Sequence, residues 1–202
     1  EIFETAEAAQ YVALRSLEMV DACAAPAIAT SCPVVVNLVE RYYHHLLDHL
    51  VPVASPMVAH ARMIKSCRGP EAKVVFVGPC IAKKDEAGRA ETSGAIDAVL
   101  TFEELRDMFE QAGIDPTDHV ADADYAAAPG AAGVASGRSP GRARLFPIEG
   151  GMMATAGVSS DMIDGPDLCV TGMDNVIALL DNLHRQNGVR LVEIMACAGG
   201  CI

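Results

Sequence analysis

Tryptophan is absent from this chain of 202 residues, and aromatic residues of every kind make up only 4% of it. Its core therefore has to be packed from Ala, Val, Leu, Met and Gly, a palette that suits close helix-on-sheet layers. Positive charge is also scarce: 15 Lys and Arg against 27 Asp and Glu leave a formal net charge of −12. That deficit excludes nucleic acid and anionic membrane surfaces as expected partners, because there is no cationic surplus to displace their counterions. No apolar run reaches the roughly 18 residues a spanning helix needs, and no secretory pattern opens the chain. The first residue is Glu1, which predicts a piece of a longer protein or a processed product.

What the chain does have is 51% hydrophobic residues. That is enough for one or two domains with a real core and too much for a disordered tail. It also has seven cysteines: Cys23, Cys32, Cys67, Cys80, Cys169, Cys197 and Cys201. Their number is odd and the chain is neither short nor visibly secreted. A disulfide framework fits poorly, and reduced, metal-binding thiols in a cytoplasmic protein fit better.

Apolar and polar residues alternate at helical spacing from about 3 to 20. Ala27-Ile28-Ala29 is a short apolar run, and Pro33 suits the first position of a helix reaching about Leu50. Ser55-Pro56 opens another helix, broken at Arg68-Gly69-Pro70. Lys73 to Val77 reads as a buried strand stopped by Gly78-Pro79, and Ala95 to Leu100 as the next strand. Thr101 and Glu104 form a capping box for a helix ending at Gly113. Residues 115–143 are rich in Ala, Gly, Pro, Asp and Ser and read as a long surface loop. Ile148 to Ala154 reads as a turn into a short helix, Leu168 to Gly172 as a strand, Met173 to Gln186 as a helix and Val189 to Ile194 as the last strand. Strands alternating with helices predict an α/β fold with parallel sheets flanked by helices. In such folds sites lie beyond the carboxyl ends of strands, which is where Cys32, Cys80 and the Cys197/Cys201 pair all fall.

Thiolates gathered at such turns are what an iron–sulfur cluster takes as ligands. In Cys197-Ala-Gly-Gly-Cys201 the glycines let backbone approach a bulky inorganic core without Cβ clashes. A single buried cysteine is more often a small hydrophobe, but four in this arrangement are not. Zinc on four cysteines is the alternative metal, and it usually takes paired Cys-x-x-Cys knuckles, which this chain lacks. Cys23, Cys67 and Cys169 have no motif around them and read as core or partly exposed residues. His45 and His49 stand at i, i+4 spacing, though with His44 they read better as a solvated helix face. His60, His119 and His184 are isolated. Met152, Met153, Met162 and Met173 read as packing.

Three motifs carry a resemblance. Thr30-Ser31-Cys32-Pro33, Gly78-Pro79-Cys80-Ile81-Ala82-Lys83-Lys84-Asp85-Glu86 and Met195-Ala196-Cys197-Ala198-Gly199-Gly200-Cys201 resemble, in this order, Thr-Ser-Cys-Cys-Pro, Met-Pro-Cys-x-x-Lys-Lys-x-Glu and Met-Ala-Cys-x-Gly-Gly-Cys. Those are motifs of the active-site domain of the iron-iron (FeFe) hydrogenases and their relatives. Ser55-Pro56 and Gly150-Gly151-Met152-Met153 resemble intermediate segments, so the likeness runs from about residue 27 to the end, least matched over 115–143. It implies a two-lobed α/β domain with the site between the lobes. It also implies the H-cluster, a 4Fe–4S cubane joined through one cysteine to a two-iron unit. By position, Cys32, Cys80, Cys197 and Cys201 would hold the cubane, with Cys201 as the bridge. Lys83 would donate to a cyanide ligand of the two-iron unit, and Met195 would lie against it. Lys84, Asp85 and Glu86 read as a solvated helix face.

The departures narrow the expected activity. Ser31 stands where active members have a second cysteine that passes protons, and a hydroxyl titrates much farther from neutrality than a thiol. Gly78 replaces the methionine of Met-Pro-Cys, and Met57 stands where the family often has glutamine. A family segment that completes the two-iron pocket has no counterpart in this chain. The Glu1, Glu4 and Glu7 stretch falls near the family's proton-path glutamates without a fixed register. The expectation is therefore proton, electron and hydrogen exchange with weak turnover, as in a redox or hydrogen sensor. An electron carrier such as ferredoxin and other domains of the parent chain are the expected partners. The alternatives are a non-enzymatic iron–sulfur-binding or assembly-type relative with only a 4Fe–4S cluster, and a cluster-free structural fragment.

Overall fold

The fold is described from a computed structural model covering residues 1–119, 141–158 and 166–201. Most of the expected 115–143 loop, Met162 and the His119 side chain lie outside the described residues. The chain builds two parallel sheets. In the larger, β1 (Ala27–Ile28) and β4 (Asp167–Thr171) flank β5 (Leu191–Met195). In the smaller, β2 (Val75–Val77) pairs with β3 (Ala98–Leu100). Between them the helices are α1 (Ala6–Met19), α2 (Pro33–Tyr42), α3 (Pro56–Arg68), α4 (Ala82–Ala87), α5 (Phe102–Ala112), α6 (Gly151–Thr155) and α7 (Met173–Asp181). The parallel α/β expectation holds, with two separate sheets.

The cores follow the same division. One apolar group joins α1 and α6 to Ala27, Val51 and Leu191. A second sits under α2 and α7, where Val35, Val39, Val176 and Leu180 pack on Ile28, Val192 and Ile194. A third belongs to the smaller sheet, where α3 places Met57, Val58 and Ala61 against Val74, Ile96 and Val99.

Three local expectations are corrected. The helix after Cys32 does not run to Leu50. It stops at Tyr43, and His44–His49 form a 3₁₀ turn. The cause is the sheet edge: Leu50 bridges Ile28 and the Val51 N–H donates to the Ile28 carbonyl, so the chain must leave the helix early. At three residues per turn, His45 and His49 no longer share a face, and His49 Nδ1 lies 2.9 Å from the Pro26 carbonyl. The strand at Val75–Val77 is not buried: Val75 is 52% and Val77 38% exposed, because a two-stranded sheet with helices on one side leaves its other face open. The helix after Met173 ends at Asp181 rather than Gln186, followed by a 3₁₀ turn.

Other readings hold in detail. Thr101 and Glu104 exchange side chain-to-backbone hydrogen bonds in a capping box, and α5 ends on Gly113 in the left-handed region. Ser55 caps α3 through the Val58 N–H, with Pro56 at the first helical position. Met152 and Met153 are fully buried packing residues.

Candidate functional site

Each cysteine motif leaves the carboxyl end of a parallel strand. Cys32 follows β1 and is the residue before α2, whose first residue is Pro33. Cys80 follows β2 at the entry to α4. Cys197 and Cys201 follow β5 in a loop where Gly199 and Gly200 have φ of 77° and 114°. A side chain at Gly200 would meet the Pro147 carbonyl oxygen at 2.2 Å, so the loop can lie flat on its neighbour only with glycine there. The Cys201 N–H donates to that same carbonyl at 2.8 Å.

The strands thus bring Cys32, Cys80 and Cys201, from three segments and both sheets, onto one cavity, with Cys197 at the start of the loop that ends in Cys201. The Cys80 and Cys201 thiols act on each other, and Cys32 and Cys197 also act on Cys201. The Cys201 partner, with the Ala82 N–H and the Lys83 charge, lowers the Cys80 thiol to about 6. Cys80, burial and the charges of Cys32 and Cys197 push the Cys201 thiol up. Two anionic sulfurs so close repel, and only one of the pair ionises readily. Among the described residues, no three His, Cys, Asp or Glu side chains close to the spacing of a single metal ion.

Against these sulfurs lies a cavity of about 510 Å³. Ser31 and Cys32, Pro56 and Met57, Gly78 to Cys80, Lys83, Met195 and Cys201 all line it. Cys197 is exposed and stands outside the lining. Glu4 and Arg144 stand at the same cavity, joined by two hydrogen bonds of 2.8 Å, and the guanidinium holds the Glu4 carboxyl below its usual value. The lining is mostly apolar, with the buried Lys83 ammonium as its inner cation.

Lys83 corrects the expectation for its helix. Lys84 and Asp85 are exposed as expected, but Glu86 is buried. Its carboxylate takes a hydrogen bond from Lys83 Nζ at 2.7 Å, and the same ammonium donates to the Ser31 carbonyl at 3.2 Å. A buried lysine needs such a partner. The i, i+3 spacing of two charged residues one turn apart was the available signal. An ammonium has three donors, so one remains for a group in the cavity. Four thiols and a buried ammonium beside an apolar space fit an anionic iron–sulfur group, which needs thiolate ligands and nearby donors.

The other cysteines do not join the site. The Cys23 thiol donates to the Met19 and Leu50 carbonyls, and burial raises its pKa. Cys67 is exposed. Cys169 is buried on β4, accepts the Gly150 N–H at 3.0 Å and is pushed up to about 12 by burial and by nearby Glu193. Cys23, Cys32, Cys80, Cys169, Cys197 and Cys201 are free thiols. Glu193 was not singled out by sequence, although a carboxylate in the middle of Leu191-Val-Glu-Ile-Met195 was the clue. It is buried on β5 and accepts the Met152 and Met153 N–H groups at 3.0 Å each, with its carboxyl pushed up to about 7, chiefly by burial.

Comparison with known proteins places the chain in a family. The periplasmic Fe hydrogenase large subunit of Nitratidesulfovibrio vulgaris is 29% identical over 220 residues, 88% of this chain and 50% of that protein. The cytosolic Fe-S cluster assembly factor NAR1 of Vanderwaltozyma polyspora is 30% identical over 88 residues, 44% of this chain and 17% of that one. The solved structure of the FeFe-hydrogenase HydA(deltaEFG), concerned with stepwise H-cluster assembly, covers 100% of this chain and 68% of its own, with a TM-score of 0.68 and 21% identity, a likeness of fold. The chain spans about half the length of the hydrogenase subunit it matches. Among the described residues no helix is long and apolar enough to cross a membrane. The model of the iron-only hydrogenase large subunit, C-terminal domain, matches residues 1–202, and the chain belongs to that family.

Proposed function

We propose that this chain holds an H-cluster: a 4Fe–4S cubane on Cys32, Cys80, Cys197 and Cys201, and a two-iron unit in the cavity, joined through Cys201. The observation that supports this reading is that Cys32, Cys80 and Cys201, from three strand ends, line one cavity, with Cys197 on the same loop as Cys201. Such a group supplies the redox and hydrogen chemistry when bound, and the protein supplies ligands, donors and shelter from water. Lys83, held by Glu86 and the Ser31 carbonyl, keeps a donor for an anionic ligand. Met57 and Met195 exclude water from the same space.

Proton supply is the weak part. Ser31 offers a hydroxyl where a thiol would hand on protons near neutrality. The chain is thus read as a redox or hydrogen sensor with weak turnover, working with an electron carrier such as ferredoxin and with other domains of its parent chain. The free thiols of Cys23, Cys32, Cys80, Cys169, Cys197 and Cys201 support a reducing compartment such as the cytoplasm, although the similar Nitratidesulfovibrio subunit is periplasmic.

Anaerobic reconstitution with iron and sulfide tests the cubane. The expected result is about four iron per chain with visible absorption, strongly reduced in Cys197→Ser. Colourless wild-type protein would sink the reading. In a matured, full-length protein, Ser31→Cys is expected to raise hydrogen evolution by about tenfold or more, and no gain would remove the proton-supply argument. The resemblance to NAR1 favours a second reading, an assembly-type relative with the cubane alone. Infrared bands of carbonyl and cyanide after maturation separate the two: their presence supports the H-cluster and their absence the second reading.

A further inference from the structure

We propose that Glu193 is a positioning residue for the Cys197–Cys201 loop. Its buried carboxylate anchors the turn at Pro147–Met153 to β5, and that turn fixes the backbone on which Cys201 stands. The proposal rests on the reading above only for what the loop is to hold.

At one end the turn is gripped by two side chains of adjacent strands. Glu193 and Cys169 are register partners across β4 and β5. Glu193 Oε1 accepts the Met152 N–H and Oε2 the Met153 N–H, both at 3.0 Å, and Cys169 Sγ accepts the Gly150 N–H. At its other end the turn meets the loop directly. The Cys201 N–H donates to the Pro147 carbonyl at 2.8 Å and the Glu149 N–H to the Gly199 carbonyl at 3.1 Å, while Ile148 and Gly200 form an antiparallel bridge. Thr171 closes the circuit: its hydroxyl donates to Glu149 at 3.0 Å and accepts the Gly199 N–H at 3.3 Å.

A strand as buried as β5 is normally all apolar, and a carboxylate there is costly unless its oxygens are bound. Both oxygens are bound, and to backbone amides of the element that carries the loop. An apolar residue would fill the space but leave two amides orphaned. Glu193 also shares a face of β5 with Met195, two residues on, and Met195 lines the cavity. The carboxylate therefore sits one step behind the site without touching it.

Glu193→Gln keeps the shape, retains one acceptor and sets an amide donor against the other N–H. Thr171→Val cuts the circuit at the loop end with little change of volume. Far-UV circular dichroism and thermal unfolding establish that each variant folds. The readout is alkylation of each thiol in the cluster-free chain, followed by peptide mass spectrometry, together with hydrogen exchange at residues 199–201. In both variants Cys201 is expected to react about fivefold faster, the factor of one ordinary net hydrogen bond, while Cys23 and Cys32 stay at the parental rate. Exchange at 199–201 should speed by a similar factor. A uniform rise at all thiols would mean mere loosening of the fold and would overturn the proposal, as would an unchanged Cys201. Reconstitution of the parent chain is read separately. A colourless parent with a selective Cys201 response refutes the cluster reading alone, and a coloured parent without that response refutes the positioning role alone.

Discussion

The two sheets solve the same problem with unequal resources. In the larger sheet every residue of β5 is buried, and β4 is nearly so. In the smaller, Val75 and Val77 face outward and α5 has no buried residue. Yet the site draws on both, because Cys32, Cys197 and Cys201 leave the larger sheet and Cys80 leaves the smaller. Three of the four thiols thus follow buried strands, and the fourth follows a strand with an open face. What ties that lobe down near the site is polar. Asn37 on α2 donates to Asp85 on α4 at 2.8 Å, Arg89 pairs with Glu40 at 2.8 Å, and the Lys83–Glu86 pair reaches back to the Ser31 carbonyl.

The largest expected effect tests the rigid side. Ile194 on β5 is buried between α2 and α7 in the second apolar group. Truncating it to Ala should destabilise the chain by about 2–5 kcal/mol, the usual cost of an unfilled core site. Urea unfolding measures it. A loss no larger than that of an exposed substitution would erase the contrast between the sheets.

The second test uses acidity. The acids of the two sheets are shifted in opposite directions. Burial raises Glu193 on β5 to about 7, whereas the Val74 N–H, Lys73 and Lys65 lower Asp97, which precedes β3. A raised carboxyl means that the folded state binds the proton more tightly than the unfolded chain. Stability contributed by Glu193 is therefore fullest below its unfolded value of 4.5 and falls as pH rises towards about 7. The fall amounts to about 3 kcal/mol if the whole shift is realised. Asp97 acts the other way: its contribution is present above its ordinary value of 3.8 and is lost as pH falls through its lower folded value. Urea midpoints of the parent and Glu193→Gln from pH 4 to about 8 should diverge over that window, the variant losing the downward slope. Parallel curves would mean that Glu193 is not desolvated as its burial implies.

Local chemistry was legible in the sequence where partners are close along the chain. The Thr101–Glu104 capping box, Gly113 at the end of α5 and Pro56 after Ser55 each involve neighbours within a turn, so residue type alone decides them. Placement of the cysteines at strand ends was legible for the same reason, since an apolar run followed by a turn signal is a local pattern. What escaped depends on distant partners. Tyr43 ends α2 because Leu50 must reach Ile28, and Glu193 matters because of amides about forty residues away. The division into two sheets was likewise hidden in the alternation of strands and helices and came only through the family likeness. That likeness also could not reveal that Glu86 is buried against Lys83 rather than solvated.

The smallest effect is expected on the open side, where a null result is the informative one. Val75 is 52% exposed on β2, with Phe76 between it and Val77 packing inward on the third apolar group. Val75→Thr keeps the β-branched shape that a strand favours and exchanges a methyl already in water for a hydroxyl. It should change stability by no more than about 0.5 kcal/mol, and urea unfolding of the chain alone would read it. The same substitution has a second use in a longer protein that includes further parts of the parent chain. If the outer face of the smaller sheet packs against such a part, Val75→Thr becomes a buried hydroxyl and its cost should rise to about 1–3 kcal/mol. A cost that stays near zero in both would mean that the open face is a true surface of the domain. The openness of the lobe carrying Cys80 would then be a property of the fold itself, offset by the packing of α3 on α1 and the polar ties around α4.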